Sequence, residues 1–194
     1  RRDLRLIDNN GLIFADKTFS NIIPIFIFTP EQIKNNKYKS NNAVQFMCES
    51  LKELDTNLKE KNSKLHIFHG DNITILNHII KKINISNIVF NMDYTPYAIK
   101  RDKEIQNLCK TNNIGCHIIE DYLLGPIGSL NKSDGNPYTI YTPFKNNALK
   151  SSVPKPNNYI LEKLVKFSGG EKIIKYKVNK NILVHGGRKN GTAI

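Results

Sequence analysis

The sequence predicts an α/β fold, in which a parallel sheet carries helices on both faces and is followed by an extended connector. Short apolar runs alternate with helical patterns between residues 21 and 120. The runs are nearly continuous, which is typical of strands buried on both faces of a sheet. Strand, helix and strand in this order indicate βαβ units. Beyond residue 145 the chain is basic, rich in asparagine and weakly periodic.

Four apolar runs predict the strands. They cover residues 21–30, 64–70, 85–91 and 114–120. The carboxyl ends of parallel strands meet at one edge of a sheet, and ligands bind outside that edge. Polar residues that directly follow these runs are therefore the first candidates for a binding site.

Three segments between the strands predict helices. The first covers residues 41–61, and its apolar residues recur every three or four positions, as on one face of a helix. The second covers residues 73–83, with Asp71 as its N-cap, or Asn72 if the helix begins one residue later. The third runs from Pro96 to residue 112, because proline suits the first turn of a helix.

Residues 121–144 contain three prolines and three glycines, which indicates turns where the α/β domain ends. Within them, residues 138–141 predict a strand or an extended plug. Thr142 and Pro143 predict the N-cap and first turn of a helix. A polar linker follows, and residues 159–167 predict a short helix.

The composition limits the cellular setting and the partners. Lys and Arg outnumber Asp and Glu by 29 to 17, a net charge of +12, so a polyanion such as nucleic acid is a plausible partner. The lysines are spread along the whole chain, which also fits a biased composition without a binding face.

Three cysteines without CxxC spacing predict no disulfide, with Cys48 and Cys116 as small core residues. We expect a cytoplasmic or nuclear protein that is neither secreted nor membrane-spanning, and a segment of a longer chain.

Several catalytic motifs are absent from the sequence. It contains no GxGxxG after a strand, no GxxxxGK[ST], no GxSxG and no HExxH. The familiar dinucleotide, P-loop, hydrolase and zinc-protease sites are therefore excluded. His66 and His69 are interpreted as ordinary strand or loop residues without a metal, and His117 as a hydrogen-bonded core residue.

A charged cluster opens the chain. Arg1, Arg2, Asp3, Arg5 and Asp8 lie at a junction between a strand and a loop. They could bind an anion or form a structural ion-pair network, and we favour the network.

A second polar cluster follows the third predicted strand. It comprises residues 91–97, with Asp93 and Thr95 directly after that strand, and also Lys100, Arg101 and Asp102 in the helix that Pro96 opens. Polar and aromatic groups, among them Asn91 and Tyr97, are thus gathered at the end of the strand. These groups either converge on a ligand at the sheet edge or, in the case of Asp93 and Thr95, merely cap the helix. Both interpretations stay open.

Three motifs together resemble the amino-terminal domain of the DNA photolyase/cryptochrome family. They read RRDLRLIDNNGL, NMDYTPYAIKRD and DYLLGPIGSLNKSDGNPYTIYTPFKNN, and HGGRK near the end agrees with them. The resemblance implies a Rossmann-like antenna domain over residues 1–145 and an interdomain connector over residues 146–194. The family's first strand is then expected just before Arg1.

The same resemblance implies a light-driven enzyme with two domains. A helical domain, absent from this chain, would hold FAD and most of the surface that binds UV-damaged DNA. That domain is either fused to this one or a separate chain. Since this chain contains no tryptophan for electron transfer, we expect it to bind no FAD, to contain no catalytic residue and to repair no DNA by itself.

An antenna pigment is the cofactor that this domain would bind. Similarity to family members with a deazaflavin antenna implies these candidate residues: Asp3, Phe28, Thr29, Asp93, Lys100 and Arg101. A folate antenna fits less well, because Ala98 and Tyr97 stand where folate-binding members carry an acidic residue and an asparagine.

Three functions are compatible with these observations. The first is the antenna-side domain of a deoxyribodipyrimidine photolyase. The second is the same domain of a cryptochrome-type blue-light photoreceptor, which signals without repairing DNA. The third is a nucleotide-binding α/β domain of an unrelated type, which the missing phosphate loop disfavours.

Overall fold

The computed structural model describes residues 3–34 and 36–193. Strands alternate with helices through its first 119 residues. In chain order the elements are α1 (Asn10–Thr18), β1 (Ile25–Phe28), α2 (Pro30–Ile33), α3 (Asn41–Glu60), β2 (His66–His69), α4 (Asn72–Lys82), β3 (Asn87–Asn91), α5 (Pro96–Thr111), β4 (Gly115–Ile119), α6 (Tyr141–Ala148) and α7 (Arg188–Gly191).

The four predicted strands and the three predicted long helices are confirmed, with slightly shorter bounds. Asp71 is the N-cap of α4, because its Oδ1 accepts a hydrogen bond of 2.9 Å from the backbone N–H of Thr74. The apolar stripe of α3 is buried along its length at Val44, Leu51 and Leu58. Local pattern and local capping therefore determine these elements.

Helix α1 was not predicted. It begins after Asn9, whose Oδ1 accepts a hydrogen bond of 3.1 Å from the backbone N–H of Leu12. An asparagine at this position satisfies one of the free N–H groups of the first helical turn. The charged residues before it and Gly11 inside its first turn obscure this short helix in the sequence.

All strand pairs are parallel, but they form two pairs and not one continuous sheet. β1 pairs with β2 so that Ile25 lies opposite His66, and β3 pairs with β4 so that Asn87 lies opposite Gly115. Between β1 and β3 lies a cavity of about 940 Å³. The predicted parallel α/β architecture is confirmed, with this interruption at its centre.

Helices cover both faces of the strands, as predicted. On one face α3 packs against β1 and β2 around Phe28, Leu51 and Leu58, which are completely buried. On the other face α4 and α5 pack over the strands around Leu76 and Ile105. Cys48 and Cys109 are buried in these two cores and Cys116 is half-buried.

Residues 138–141 do not form a strand, which was one of the two predicted possibilities. Residues 121–140 form turns without a helix or strand, and α6 already begins at Tyr141. The predicted helix around Pro143 exists, but Ile140 is its N-cap and not Thr142. Pro143 lies in the first turn, where it displaces no intrahelical hydrogen bond.

The predicted short helix at residues 159–167 is also wrong. This segment is extended and forms an isolated parallel bridge between Leu164 and Ile22. Leu161 and Leu164 are buried in the α3-side core, so part of the connector completes that core. The domain boundary at residues 145 and 146 stays a prediction.

Candidate functional site

The cavity between β1 and β3 has two chemically different parts. Its middle is lined by apolar residues of the strands and helices. Its end near the carboxyl termini of β1 and β3 is polar. The polar and aromatic lining at this end consists of Asp3, Arg5, Asn9, Thr29, Gln32, Asn91, Tyr97 and Arg101. This is the edge of the strands at which the sequence predicts a ligand.

Asn91 is the centre of a buried hydrogen-bond network at this edge. It is only 2% exposed and ends β3. Its Nδ2 donates to Asp3 Oδ2 at 2.7 Å and to Asn9 Oδ1 at 2.9 Å. Its Oδ1 accepts from the backbone N–H of Gly11 at 2.8 Å. The network therefore joins the opening segment and the start of α1 to the end of β3.

Gly11 is required by this close approach. A Cβ atom at this position would lie 2.5 Å from Asn91 Oδ1, which real Cβ atoms do not tolerate. The absence of a side chain lets α1 reach the end of β3 with its backbone. Gly11 therefore contributes to the site only by leaving room for the Asn91 side chain.

Thr29 and Arg101 contribute buried polar atoms without a partner among the described residues. Thr29 follows β1, is 3% exposed and forms a capping box with Gln32 at the start of α2, but its Oγ1 has no hydrogen bond of regular geometry. Arg101 Nε donates to Asp102 Oδ1 at 3.0 Å, while its Nη2 is buried without a hydrogen bond. Because unsatisfied buried polar atoms are costly, two of them around one cavity indicate room for a polar ligand.

Arg101 is held in place by two neighbours. The Asp102 carboxylate is almost completely buried and pairs with the Arg101 side chain. The guanidinium lies 5.7 Å from the centre of the Tyr97 ring, within the range of a cation–π contact. The positive charge is therefore fixed at the cavity, where it could bind an anionic or carbonyl oxygen.

The charged opening forms a structural network at the residues that the structure describes. Arg5 Nη2 donates to Asp121 Oδ2 at 2.9 Å, and Asp121 Oδ1 accepts from the backbone N–H of Asn10. Asp8 Oδ1 accepts from the backbone N–H of Asn157 at 2.8 Å. This agrees with the favoured ion-pair interpretation for Arg5, whereas the contact described for Asp8 is a hydrogen bond from a backbone N–H. Arg1 and Arg2 lie outside the described residues.

The six predicted antenna residues do not all meet. Asp3, Thr29 and Arg101 line the cavity, whereas Phe28, Asp93 and Lys100 do not. The Phe28 side chain is completely buried in the core and stacks on His69, with ring centres 5.3 Å apart. Lys100 is exposed on α5.

Asp93 and Thr95 act as caps, one of the two interpretations left open by the sequence. Asp93 Oδ1 accepts from the backbone N–H of Thr95 at 3.1 Å. Thr95 Oγ1 accepts from the backbone N–H of Ala98 at 3.3 Å and caps α5. Of this second cluster, Asn91, Tyr97 and Arg101 line the cavity.

The histidines have structural partners. His66 Nδ1 contacts the carbonyl oxygen of Gly169 at 3.1 Å, and burial lowers the pKa of this imidazole below its ordinary value. His117 Nε2 lies 2.8 Å from Asn87 Oδ1. Within residues 3–34 and 36–193, no group of three His, Cys, Asp or Glu side chains could hold a metal ion.

None of the helices described is long and apolar enough to cross a membrane.

Sequence reasoning missed the role of Asn9 in this site, and it named Asn91 and Tyr97 only as members of the second polar cluster. Asn91 carried a usable signal, since it is a polar residue at the carboxyl end of a strand that is otherwise apolar. Asn9 carried the signal of an N-cap, but α1 itself was overlooked.

Comparisons with known proteins identify the family of this chain. A sequence model of the family described as DNA photolyase matches residues 1–159. A deoxyribodipyrimidine photo-lyase from Synechococcus is 30% identical over 156 residues, which are 80% of this chain and 32% of that protein. Cryptochrome-1 from Aedes aegypti is 35% identical over 122 residues, 60% of this chain and 22% of that protein. The chain thus spans a third or less of these two relatives.

A solved structure confirms the fold over the whole chain. The archaeal photolyase from Sulfolobus tokodaii superposes with a TM-score of 0.89 at 36% identity, covering 100% of this chain and 44% of that one. That structure contains two FAD molecules and implicates a novel light-harvesting cofactor in that protein. A cryptochrome from Synechocystis, 18% identical with a TM-score of 0.85, shares the fold.

Proposed function

The chain belongs to the DNA photolyase family, and on that premise we propose that it is the amino-terminal, antenna-side domain of a deoxyribodipyrimidine photolyase. In the complete enzyme, light-excited reduced FAD would supply the electron that splits a pyrimidine dimer flipped out of DNA. The role of this chain is to bind an antenna pigment that passes excitation energy to the flavin. Family membership excludes the third interpretation, an unrelated nucleotide-binding domain.

One observation carries the pigment site: the unpartnered Thr29 Oγ1 and Arg101 Nη2 around one cavity at the carboxyl ends of the strands. A flat heterocycle with carbonyl or phosphate oxygens would accept hydrogen bonds from both atoms. The Tyr97 ring beside Arg101 offers an aromatic surface to such a ring system. A deazaflavin meets these requirements, and we favour it over folate.

The remaining candidates have supporting roles in this proposal. Asp3 would orient the site through Asn91, to which it is hydrogen-bonded. Phe28 would support the cavity from the core behind Thr29. Asp93 would fix the start of α5 and thereby the position of Arg101, and Lys100 would add positive charge at the surface.

A pigment titration with two matched variants tests the site. Deazaflavin, FAD and a reduced folate are each added to the purified chain, and absorption and fluorescence are followed. We expect deazaflavin to bind and Arg101→Gln to weaken its binding by about tenfold or more, the loss of one charge-assisted hydrogen bond. Lys103→Gln removes the same charge from an exposed position on the same helix that does not line the cavity, and it should bind normally. Equal binding by both variants would refute the role of Arg101.

We further propose that a helical FAD-binding domain, fused or separate, covers the apolar surface of residues 121–160. Large apolar side chains are exposed there, which indicates an interaction surface. They are Leu123, Leu124, Ile127, Ile140, Tyr141, Leu149, Val153 and Ile160. Mixing this chain with a helical domain of the family and assaying light-dependent dimer repair tests the pairing.

The partner DNA and the cellular location follow from the same proposal. A net charge of +12 favours association with a polyanion, and the complete protein would bind UV-damaged DNA. Three free cysteines fit a reducing cytoplasm or nucleus.

A cryptochrome-type photoreceptor is the second candidate. The 35% identity to the Aedes cryptochrome favours it, and both classes share this domain. Dimer repair by the complete protein would exclude pure signalling. Light-dependent association with a partner protein without repair would support it.

A further inference from the structure

Two of the three cysteines meet where α5 is followed by β4. Cys109 lies in the last turn of α5 and is 1% exposed. Cys116 is the second residue of β4 and is half-buried. Both thiols belong to the core that α5 forms over the strands, and they are hydrogen-bonded to each other. Two thiols in contact need only a small rotation of their side chains to reach the geometry of a disulfide.

A tight turn fixes this contact. Asn113 adopts a positive φ of 55°, and the backbone N–H of Ile114 donates to the carbonyl oxygen of Cys109 at 3.0 Å. This is how a Schellman motif ends a helix, and it places the residue after the turn against the last helical turn. Side chains two positions apart share one face of a strand, so Cys116 follows Ile114 onto the face that packs on α5. Cys116 also lies opposite Ile88 in the pairing with β3, which holds β4 in this register.

The two thiols differ in reactivity. Burial raises the pKa of the Cys109 thiol to about 12, and the adjoining Cys116 adds to this shift. Cys109 therefore stays protonated at neutral pH and is a poor nucleophile towards an oxidant in solution. Cys116 is the more accessible thiol of the pair, so an oxidant meets it first. Cys48 is completely buried in the other core and serves as an internal reference.

We propose that Cys109 and Cys116 form a reversible redox site, in which hydrogen peroxide oxidises Cys116 and Cys109 then closes an intramolecular disulfide. In the first step the Cys116 sulfur attacks the O–O bond of the peroxide, which gives a sulfenic acid and one water molecule. In the second step the Cys109 sulfur attacks the Cys116 sulfur, and the departing hydroxide takes the Cys109 proton and leaves as water. The two thiols together lose two electrons and two protons, and the peroxide is reduced to two water molecules.

The disulfide would tie the carboxyl end of α5 to β4. It closes a short loop across the turn and so restricts fraying of the last turn of the helix. The N–H groups of Asn112 and Ile114, which both donate to the carbonyl oxygen of Cys109, lie inside this loop. We expect their hydrogen exchange to slow by about tenfold in the oxidised chain. This inference does not depend on the pigment or on the proposed enzyme activity.

Oxidation of the folded chain, followed by thiol counting, tests the site. The unaltered chain and the variants Cys116→Ala, Cys109→Ala and Cys48→Ala are treated with hydrogen peroxide at neutral pH, and catalase ends the reaction. The chains are then unfolded and alkylated with N-ethylmaleimide, and the intact mass gives the number of labels. Trypsin cleaves after Lys110, between the two cysteines, so their disulfide joins two peptides into one mass. This peptide map of the unaltered chain decides the pairing even if a variant fails to fold.

We expect the labels of the unaltered chain to fall from three to one and dithiothreitol to restore all three. Cys48→Ala should form the same disulfide at the same rate. Cys116→Ala should keep both of its thiols, and Cys109→Ala should accumulate a sulfenic acid at Cys116 that dimedone captures.

Three results would overturn the proposal. The first is an unaltered chain that keeps three labels, or whose lost labels dithiothreitol does not restore. The second is a disulfide that involves Cys48 or joins two chains. The third is a Cys109–Cys116 disulfide that forms no faster than a thiol reagent labels Cys48, because that rate reports unfolding and not a site of the folded chain.

Discussion

Asp16 binds the connector to the α/β core through hydrogen bonds, and its removal should lower the free energy of unfolding. This carboxylate lies in the last turns of α1 and is completely buried. It accepts hydrogen bonds from the backbone N–H groups of Glu162 and Lys163 at 3.0 and 2.9 Å, and from the Tyr159 hydroxyl at 3.0 Å. A negative charge near the carboxyl end of a helix is unfavourable for the helix itself. We therefore attribute its presence to these three contacts.

The cost of Asp16→Ala follows from the two backbone donors. A hydrogen bond to a charged acceptor contributes about 1.5–3 kcal/mol, so two contribute about 3–6 kcal/mol. Glu162 is exposed, and water can reach its N–H group in the variant, which places the expected loss near the lower bound. A loss of about 3 kcal/mol lowers the melting temperature by about 6–12 °C in a chain of this size.

Thermal melting of three variants checks this estimate. Asp16→Asn keeps an oxygen acceptor for both backbone donors and should lose less than half as much stability as Asp16→Ala. Glu104→Ala removes an exposed carboxylate from another helix and should melt like the unaltered chain. Hydrogen exchange at Glu162 and Lys163 should accelerate in Asp16→Ala. If Asp16→Ala has the same melting temperature as the Glu104→Ala control, Asp16 does not stabilise the packing of the connector on the core.

Three further predictions concern the core and the site. Gly11→Ala should cost about 1–3 kcal/mol in an unfolding titration, because the new Cβ displaces Asn91 from its hydrogen bond. Burial lowers the pKa of His66 below its ordinary 6.5, so the unfolded chain takes up a proton that the folded chain resists. The contribution of the neutral His66 imidazole to stability should be fully present above pH 6.5 and be lost as the pH falls below it. His66→Gln should flatten this dependence of the melting temperature on pH. Burial raises the pKa of Cys48 to about 11 and of Cys109 to about 12, so a thiol reagent at pH 8 should label both only after unfolding.

The fold was largely predictable because its signals are local. A run such as IFIF in β1 is apolar on both faces, and the stripe of α3 repeats at helical spacing. The helix predicted at residues 159–167 failed because a distant contact decides the conformation there. Leu161 and Leu164 are three positions apart, as in a helix, but Asp16 and Ile22 hold their segment in an extended form.

The candidate site was predictable only in part, for a related reason. Thr29 and Arg101 could be found because one follows a strand and the other lies in the first turns of a helix after a strand. The pairing of Asn91 with Asn9 joins residues 82 positions apart, and no local pattern indicates it. Phe28 has the right position in sequence but points into the core, because side chains alternate along a strand.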